Sequence, residues 1–426
     1  MASSTDQHPH FLCSKTIIIS GAGIAGLTFA VALSQQFTES GSLNQARPRL
    51  VIYERDSYED RIGREGYSLS LRTDNSPGGI QVLGFLGIYE RVRRVSVNPE
   101  DSAEVRGGFN IWNSDFSSLL RFAVRNAGPN DLLGMRIRRN ALQKVLADAA
   151  VEHGATIHWE TAIKGAEPTG HGQMEVSLSD GSRELCDILI AADGSRSKVR
   201  SLLRPNDGLD YTGFYTWGGT AKYPSRNAIP KPLDRDWGVV LGGKGIGLFV
   251  SPVDDKSVLW GMSRASPREQ ASLRYPIPQQ QYIELMEEST KLASNFAPLV
   301  KKLVAATDPT TAMLFSCMDR PPFPNQPLKH GPVVWIGDAN HAVSPFAGNG
   351  ANMALMDAWD LASSLKKADS FDEALSEFDK VAVTRATKVL NTSRWSIDLA
   401  HATGFKLVLY KLFIGVIGFL SRRIPF

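Results

Sequence analysis

Gly21-Ala22-Gly23-Ile24-Ala25-Gly26 is the first stretch with the residue types and spacing to do chemistry. In a strand-turn-helix setting, Gly21 permits a tight turn. Gly23 lets backbone approach a pyrophosphate, and Gly26 lets helix and strand pack closely. The helix start then offers free N–H groups and a partial positive charge to phosphates. Glu54, closing the next apolar run, is placed to accept from ribose hydroxyls. The pattern predicts a dinucleotide site and does not by itself separate NAD from FAD.

A second constellation runs from Trp335 to Asn352: Gly337-Asp338, His341, Pro345-Phe346, Gly348, Gly350-Ala351-Asn352. Asp338 at a strand end suits a polyol hydroxyl. The N–H groups near Gly350 and Ala351 suit developing negative charge, such as that on a reduced flavin. Glycines at 348 and 350 leave room for a flat ring against backbone. His341 could serve as an acid or base, and reads more simply as a hydrogen-bonded support for this loop.

The elements that must position these groups are legible from periodicity. Thr16–Ser20 and Leu50–Glu54 read as strands flanking a helix with the stripe Leu27, Ala30, Val31, Leu33. Arg139–Ala150 reads as a helix with Leu142, Val145, Leu146 and Ala149 on one face. Cys186–Ala191 reads as one buried strand, Val333–Gly337 as another, and 350–366 as a helix. Between Tyr211 and Arg264 the texture changes. Strands Trp237–Leu241, Ile246–Val250 and Ser257–Met262 alternate with Gly- and Asp-rich turns, followed by a helix over 279–305. The expected fold is α/β: a Rossmann-like nucleotide-binding domain interrupted by a mainly antiparallel β-sheet substrate domain, with C-terminal helices. The expected bounds are 1–75, 137–203 and 311–366 for the first, 76–136 and 204–310 for the second, and 367–426 for the helical end.

The 426 residues carry a net charge of +3 with no basic block, which argues against a nucleic-acid partner. Three scattered cysteines, Cys13, Cys186 and Cys317, make neither a disulfide framework nor a metal site and fit a reducing compartment. No secretory leader is read at the N-terminus, so a cytoplasmic setting is expected. Leu412–Leu420 is apolar and flanked by Lys411 and Arg422-Arg423. It falls short of the about 20 apolar residues that span a bilayer. It reads as a helix packed on the protein or as a peripheral membrane contact.

The Gly-Asp-x-x-His…Pro…Gly-x-Gly-x-Asn string resembles the flavin-contacting segment of FAD-dependent aromatic hydroxylases. It is particularly similar to tetracycline-inactivating flavin monooxygenases and related fungal secondary-metabolite oxygenases. Asp193-Gly194 within Cys186–Arg200, and Arg139-x-x-Leu142, extend the resemblance. The resemblance implies that Gly21, Gly23 and Gly26 hold the FAD pyrophosphate, and that Glu54 and Arg55 bind the adenosine ribose. It implies that Gly66 passes the flavin and Arg139 clamps the dinucleotide. Asp338 and Ala351 would contact the ribityl and isoalloxazine parts. Arg139 is chosen over Arg136 and Arg138 by its register with Leu142 and Leu146. Asp193 and Gly194 would lie between FAD and a transient NAD(P)H, or Asp193 would simply cap the following helix. Phe346 would lie near a small-molecule substrate. Trp217, Phe249, Trp260 and Met262 read as sheet core.

No second dinucleotide fingerprint is found, so NAD(P)H is expected to bind only in passing. The implied reaction uses NAD(P)H and O2 to oxygenate a small aromatic or polycyclic metabolite through a flavin C4a-hydroperoxide. The cofactor performs the chemistry, so no catalytic side chain and no metal is assigned. A flavin-dependent halogenase is the alternative enzyme; its Trp-x-Trp-x-Ile-Pro string is not found. An FAD-binding scaffold without turnover is the alternative outside enzymes.

Overall fold

The computed structural model describes residues 9–39, 47–63, 67–73, 78–97, 107–123, 134–273 and 277–423. Five short strands form a parallel sheet in the order Val333–Trp335, Ile188–Ala191, Thr16–Ser20, Arg49–Tyr53, Thr156–His158. Their runs are apolar because both faces are covered. Ile17, Ile19, Leu50, Ile52, Ile188 and Ile190 enter one core with the helices Ile24–Glu39, Arg139–Glu152 and Gly350–Lys367. The alternate residues Ile18, Val51 and Leu189 enter a second core. That core is shared with the antiparallel strands Ile163–Pro168, Met174–Leu178 and Arg183–Cys186. Each such buried side chain contributes about 1.5–3 kcal/mol.

A seven-stranded sheet runs in the order Met313–Asp319, Asp210–Lys222, Ser257–Ala265, Ile246–Pro252, Trp237–Leu241, Gly108–Asn113, Ser118–Ala123. It is antiparallel except between Trp237–Leu241 and Gly108–Asn113. One face carries Tyr215, Trp217, Leu248, Val250, Trp260 and Met262 into a core with helices Gln279–Ala293 and Pro298–Ala305. Trp217 Nε1 donates to Ser289 Oγ at 3.0 Å, and Trp260 Nε1 to Thr307 Oγ1 at 2.8 Å.

Four expectations are corrected. The helix expected over 279–305 is two helices, because Pro298 cannot continue a helical ladder and instead starts the second. Cys186–Ala191 is two strands. Arg183–Cys186 pairs antiparallel with Met174–Leu178, and Ile188–Ala191 joins the parallel sheet. Asp187 makes the transfer, its Oδ2 accepting the Thr16 N–H at 2.8 Å. The strand near Trp335 is shorter than expected, since Asp338–His341 already forms a helical turn. Met313–Asp319, expected within the nucleotide-binding part, is an edge strand of the seven-stranded sheet, with its backbone paired to Asp210–Lys222. The chain ends in helices Phe371–Ala400 and Gly404–Arg423. Among the described residues, no helix is long and apolar enough to cross a membrane.

Candidate functional site

The glycine turn sits at the carboxyl end of strand Thr16–Ser20. Gly21 has φ +101°, and a Cβ there would lie 2.7 Å from the Ala192 carbonyl oxygen. A Cβ on Gly26 would lie 2.2 Å from the Gly21 oxygen. Neither position admits a side chain without moving backbone. Gly23 O accepts from Leu27 N–H at 3.0 Å as the helix begins.

Glu54 lies one residue past strand Arg49–Tyr53 and is buried. Its Oε2 accepts the Ala22 N–H at 2.9 Å, and its Oε1 the Asp56 N–H at 3.1 Å. It therefore braces the turn from its carboxylate. Arg55 is exposed, with Nε 3.5 Å from Asp56 Oδ1. Gln143 was not foreseen. Its buried Nε2 donates to Ala22 O at 2.6 Å, fixing the turn from the other side. The sequence carried no clear signal for it, since Gln143 stands beside Lys144 between the apolar Leu142 and Val145.

The three neighbouring arginines separate by their partners. Arg136 is buried, donating to Ser70 Oγ at 2.6 Å, Ser68 O at 2.9 Å and Ser68 Oγ, with its guanidinium over the Trp237 ring. Burial lowers its pKa to about 9. Arg138 is exposed and precedes the helix. Arg139 opens the helix, its N–H donating to Tyr67 O at 3.1 Å. Its charge lies near enough to Asp338 to favour the carboxylate there.

Asp338 follows Gly337, whose φ is +57°. A Cβ on Gly337 would meet Ala25 Cβ at 3.3 Å and Ala354 Cβ at 3.7 Å, so the two helix starts and this strand end converge. Asp338 opens to solvent on one side and is crowded by protein on the others. That crowding raises its pKa, opposed by His341 and Arg139. His341 Nε2 is 2.5 Å from Asp357 Oδ2. That oxygen also accepts the Gly337 N–H at 2.9 Å, and Asp357 Oδ1 accepts from Arg385 Nη2 at 2.8 Å. Arg385 Nη1 donates to Asp360 Oδ2 at 2.7 Å. Burial works against the His341 cation, but the Asp357 carboxylate outweighs it and raises the histidine pKa. Burial also works against the Asp357 anion, but His341 and Arg385 hold it well below the usual carboxylate range. His341 thus supports the loop. Asp357 and Arg385 were missed, although a carboxylate on the stripe Met353, Asp357, Leu361 was a legible anomaly.

Pro345–Ala347 is a single 3₁₀ turn ending at Gly348, which has φ +60°. A Cβ on Gly348 would meet nothing within 4 Å; one on Gly350 would come no closer than 3.9 Å, to Asp338 Oδ1. Helix Gly350–Lys367 starts without a side-chain cap, and Ala351 in its first turn is half-buried. The buried Asn349 Oδ1 has no hydrogen-bond partner. Asn352 is fully buried: Oδ1 accepts from Arg72 N–H at 3.1 Å and Gly79 N–H at 3.2 Å, and Nδ2 donates to Ser70 O at 2.8 Å. Open space over glycine, an unpartnered acceptor and an uncapped helix start fit a flat ring with N–H donors and an electron-rich edge. These residues, with the glycine-only turn, fit FAD.

Asp193 Oδ2 accepts from Lys198 N–H at 2.7 Å and Val199 N–H at 3.1 Å, capping helix Lys198–Leu203. The capping reading therefore describes one of its oxygens. The other, Oδ1, is buried without a partner, and burial raises the pKa of the carboxyl. Its Cα would lie 3.1 Å from a Cβ on Gly21, so it borders the glycine turn, and Gly194 follows with φ +81°. Gly66 lies outside the described residues.

Past Pro345, Phe346 packs edge-on to His401 at 5.6 Å between ring centroids, and Phe214 lies 4.3 Å from the same imidazole. His401 Nδ1–H donates to Ile397 O at 2.7 Å. That leaves Nε2, 2.9 Å away, to accept from Ser263 Oγ. Burial lowers the His401 pKa, favouring the neutral ring. A Cβ on Gly247 would lie 3.3 Å from His401 Nε2. Phe214, Gly247 and Ser263 alternate with residues of the tryptophan core, so they occupy the opposite sheet face. Phe249 alternates with Leu248 and Val250 and shares that face, whereas Trp217, Trp260 and Met262 are core. Sequence carried no signal for His401, which lies far along the chain in an amphipathic helical stretch.

Residues 75–391 match the family model described as FAD binding domain. The chain is 38% identical over 403 residues to monooxygenase cfoF of Aspergillus candidus, covering 92% of this chain and 93% of that protein. It is 26% identical over 404 residues to an FAD-dependent urate hydroxylase of Klebsiella pneumoniae, covering 92% of each. Among solved structures, Klebsiella pneumoniae HpxO with FAD and uric acid superposes with a TM-score of 0.73. Its identity is 21%, and the match covers 98% of this chain and 96% of that one. Tetracycline destructase Tet(55) gives 0.66 at 17% identity, covering 97% of each chain. Likeness at that identity establishes the fold.

Proposed function

From the premise that this chain belongs to the FAD binding domain family and is an FAD-dependent monooxygenase by class, we propose that it uses NAD(P)H and O2 to oxygenate a small aromatic or polycyclic metabolite, and that its C-terminal helix rests on a membrane surface. One observation carries the catalytic part: the turn Gly348–Asn352 has open space over its glycine, an unpartnered Asn349 Oδ1 and an uncapped helix start, all beside Asp338. The urate hydroxylase relative is named for a ring compound, which supports a ring substrate.

FAD, when bound, supplies hydride acceptance from NAD(P)H and the activation of O2 for transfer of one oxygen atom. The chain's own part is to bind, orient and exclude water. Gly21, Gly23 and Gly26 bring backbone N–H groups to the pyrophosphate. Glu54, with Arg55 at its side, faces the adenosine ribose. Arg139 offers a permanently charged planar donor to the dinucleotide. Asp338 accepts from a ribityl hydroxyl. The N–H groups of Gly350 and Ala351 stabilise negative charge on the isoalloxazine edge. Asp193 and Gly194 border the approach of NAD(P)H. Phe346, with Phe214 and His401 behind it, forms the wall toward substrate. The neutral His401 is held by its two hydrogen bonds and orients that wall.

Purified protein is expected to be yellow, to release stoichiometric FAD on denaturation, and to oxidise NAD(P)H faster when a ring substrate is added. Asp338→Ala is expected to lose flavin on gel filtration. Stoichiometric flavin retained by that variant would remove Asp338 from the site, and colourless protein that cannot be reconstituted would remove the reading altogether.

A further inference from the structure

Helix Gly404–Arg423 uses only a narrow stripe to hold itself to the protein. Leu407, Tyr410 and Ile414 share a small core with Leu120 and Leu241 of the seven-stranded sheet. At Gly418 the approach is so close that a Cβ would lie 2.3 Å from the Leu119 oxygen. The helix thereby lies along strand Ser118–Ala123. Most of its remaining circumference is apolar and faces water, including Phe405 at 76% exposure, Leu412 at 62%, Phe413, Val416 and Phe419. Trp395 on the preceding helix, edge-on to Tyr410, extends the patch, and Phe122 on the supporting strand is exposed as well. A contiguous apolar surface of this kind marks an interaction site.

We infer that this face is an interfacial helix that seats the protein on an anionic lipid surface. Three features select lipid over a protein partner. The helix carries Lys406 and Lys411 and no Asp or Glu, and its sequence runs on into Arg422-Arg423, a composition that complements anionic headgroups. Among the described residues, Asp398 pairs with Lys406 at 3.1 Å and Asp115 feels the charge of Lys411. The exposed residues stand on a single convex cylinder, a shape that a fluid surface accepts without a matching groove. Two copies of the face would oppose cation to cation. Tyr410 and Trp395 at its margin are residue types suited to the boundary between apolar and wet surroundings.

This deepens the membrane part of the proposed function and is independent of its flavin chemistry. The test is co-sedimentation of FAD-loaded full-length protein with vesicles of equal parts phosphatidylcholine and phosphatidylserine, or of phosphatidylcholine alone. The expected result is binding to the anionic vesicles, weakened about tenfold or more on neutral ones and by added salt. Leu412→Ser, Phe413→Ser and Val416→Ser together are expected to abolish it, leaving monodisperse protein with its flavin. Wild-type protein that ignores both vesicles would overturn the inference, as would a triple variant that binds undiminished. So would a wild-type dimer that ignores vesicles and dissociates in the triple variant. Flavin content, read on the same samples, keeps failure of the monooxygenase reading separate from failure of this one.

Discussion

The parallel sheet and the seven-stranded sheet both bury isoleucine, leucine and tryptophan, but their functional ends make opposite demands on the chain. Around the parallel sheet, function is a matter of backbone. Gly21 and Gly26 have no space for a Cβ, Glu54 and Gln143 hold the turn by its peptide groups, and Asn352 and Asp357 hold neighbouring loops by theirs. On the seven-stranded sheet, one face is a tryptophan core and the other presents Phe214 and Ser263 to His401 of the C-terminal helices, which in turn meets Phe346. There function is a matter of side-chain shape, which many residues can supply. Substitutions around the parallel sheet should therefore cost stability and flavin together, whereas the other sheet should separate stability from turnover face by face.

The sharpest way to break this contrast is Asp357→Ala. It leaves the buried His341 without its carboxylate and Arg385 with Asp360 alone, and should cost about 3–5 kcal/mol in urea unfolding, with loss of FAD. Full stability would mean that the flavin loop does not depend on its network. Gly26→Ala should come next, at about 1–3 kcal/mol from overpacking, with weakened flavin retention measured by absorbance after gel filtration. Asn352→Ala strands the buried Gly79 N–H and removes the acceptor of the part-buried Arg72 N–H, and should cost about 1–3 kcal/mol.

On the other sheet, Trp260→Phe loses the bond to Thr307 and should cost about 1 kcal/mol with turnover unchanged. Phe346→Ala should do the reverse, raising KM for substrate at unaltered melting temperature. Equal effects of these two variants on both readouts would erase the distinction between faces.

The smallest effect is in pH. Asp357 has a depressed pKa, so its stabilisation is full above its unfolded value of 3.8 and is lost as pH falls through the folded value. His341 has a raised pKa, so its stabilisation is full below 6.5 and is lost as pH rises through the folded value. The melting-temperature gap between wild type and His341→Gln should narrow on the alkaline side. A gap constant into alkaline pH would show that the histidine gains nothing from its charge in the fold.

By itself the sequence determined the strand-turn-helix opening, the Gly337–Asn352 loop and the helices that follow each. Backbone that must take positive φ, or pass within contact distance of another chain segment, accepts few residue types, and those types are visible in one dimension. The same reasoning overreached at Pro298, where one apolar period crossed a helix break, and at Asp187, where one apolar run served two sheets. Tertiary structure alone decided that Arg136 is tied to Ser68 and Ser70 while the charge of Arg139 is felt at Asp338, that Asp193 spends one oxygen as a cap, and that His401 meets Phe346. Those pairings join residues distant along the chain, and a hydrogen bond or ring contact depends on where two side chains end rather than on what stands beside either in sequence.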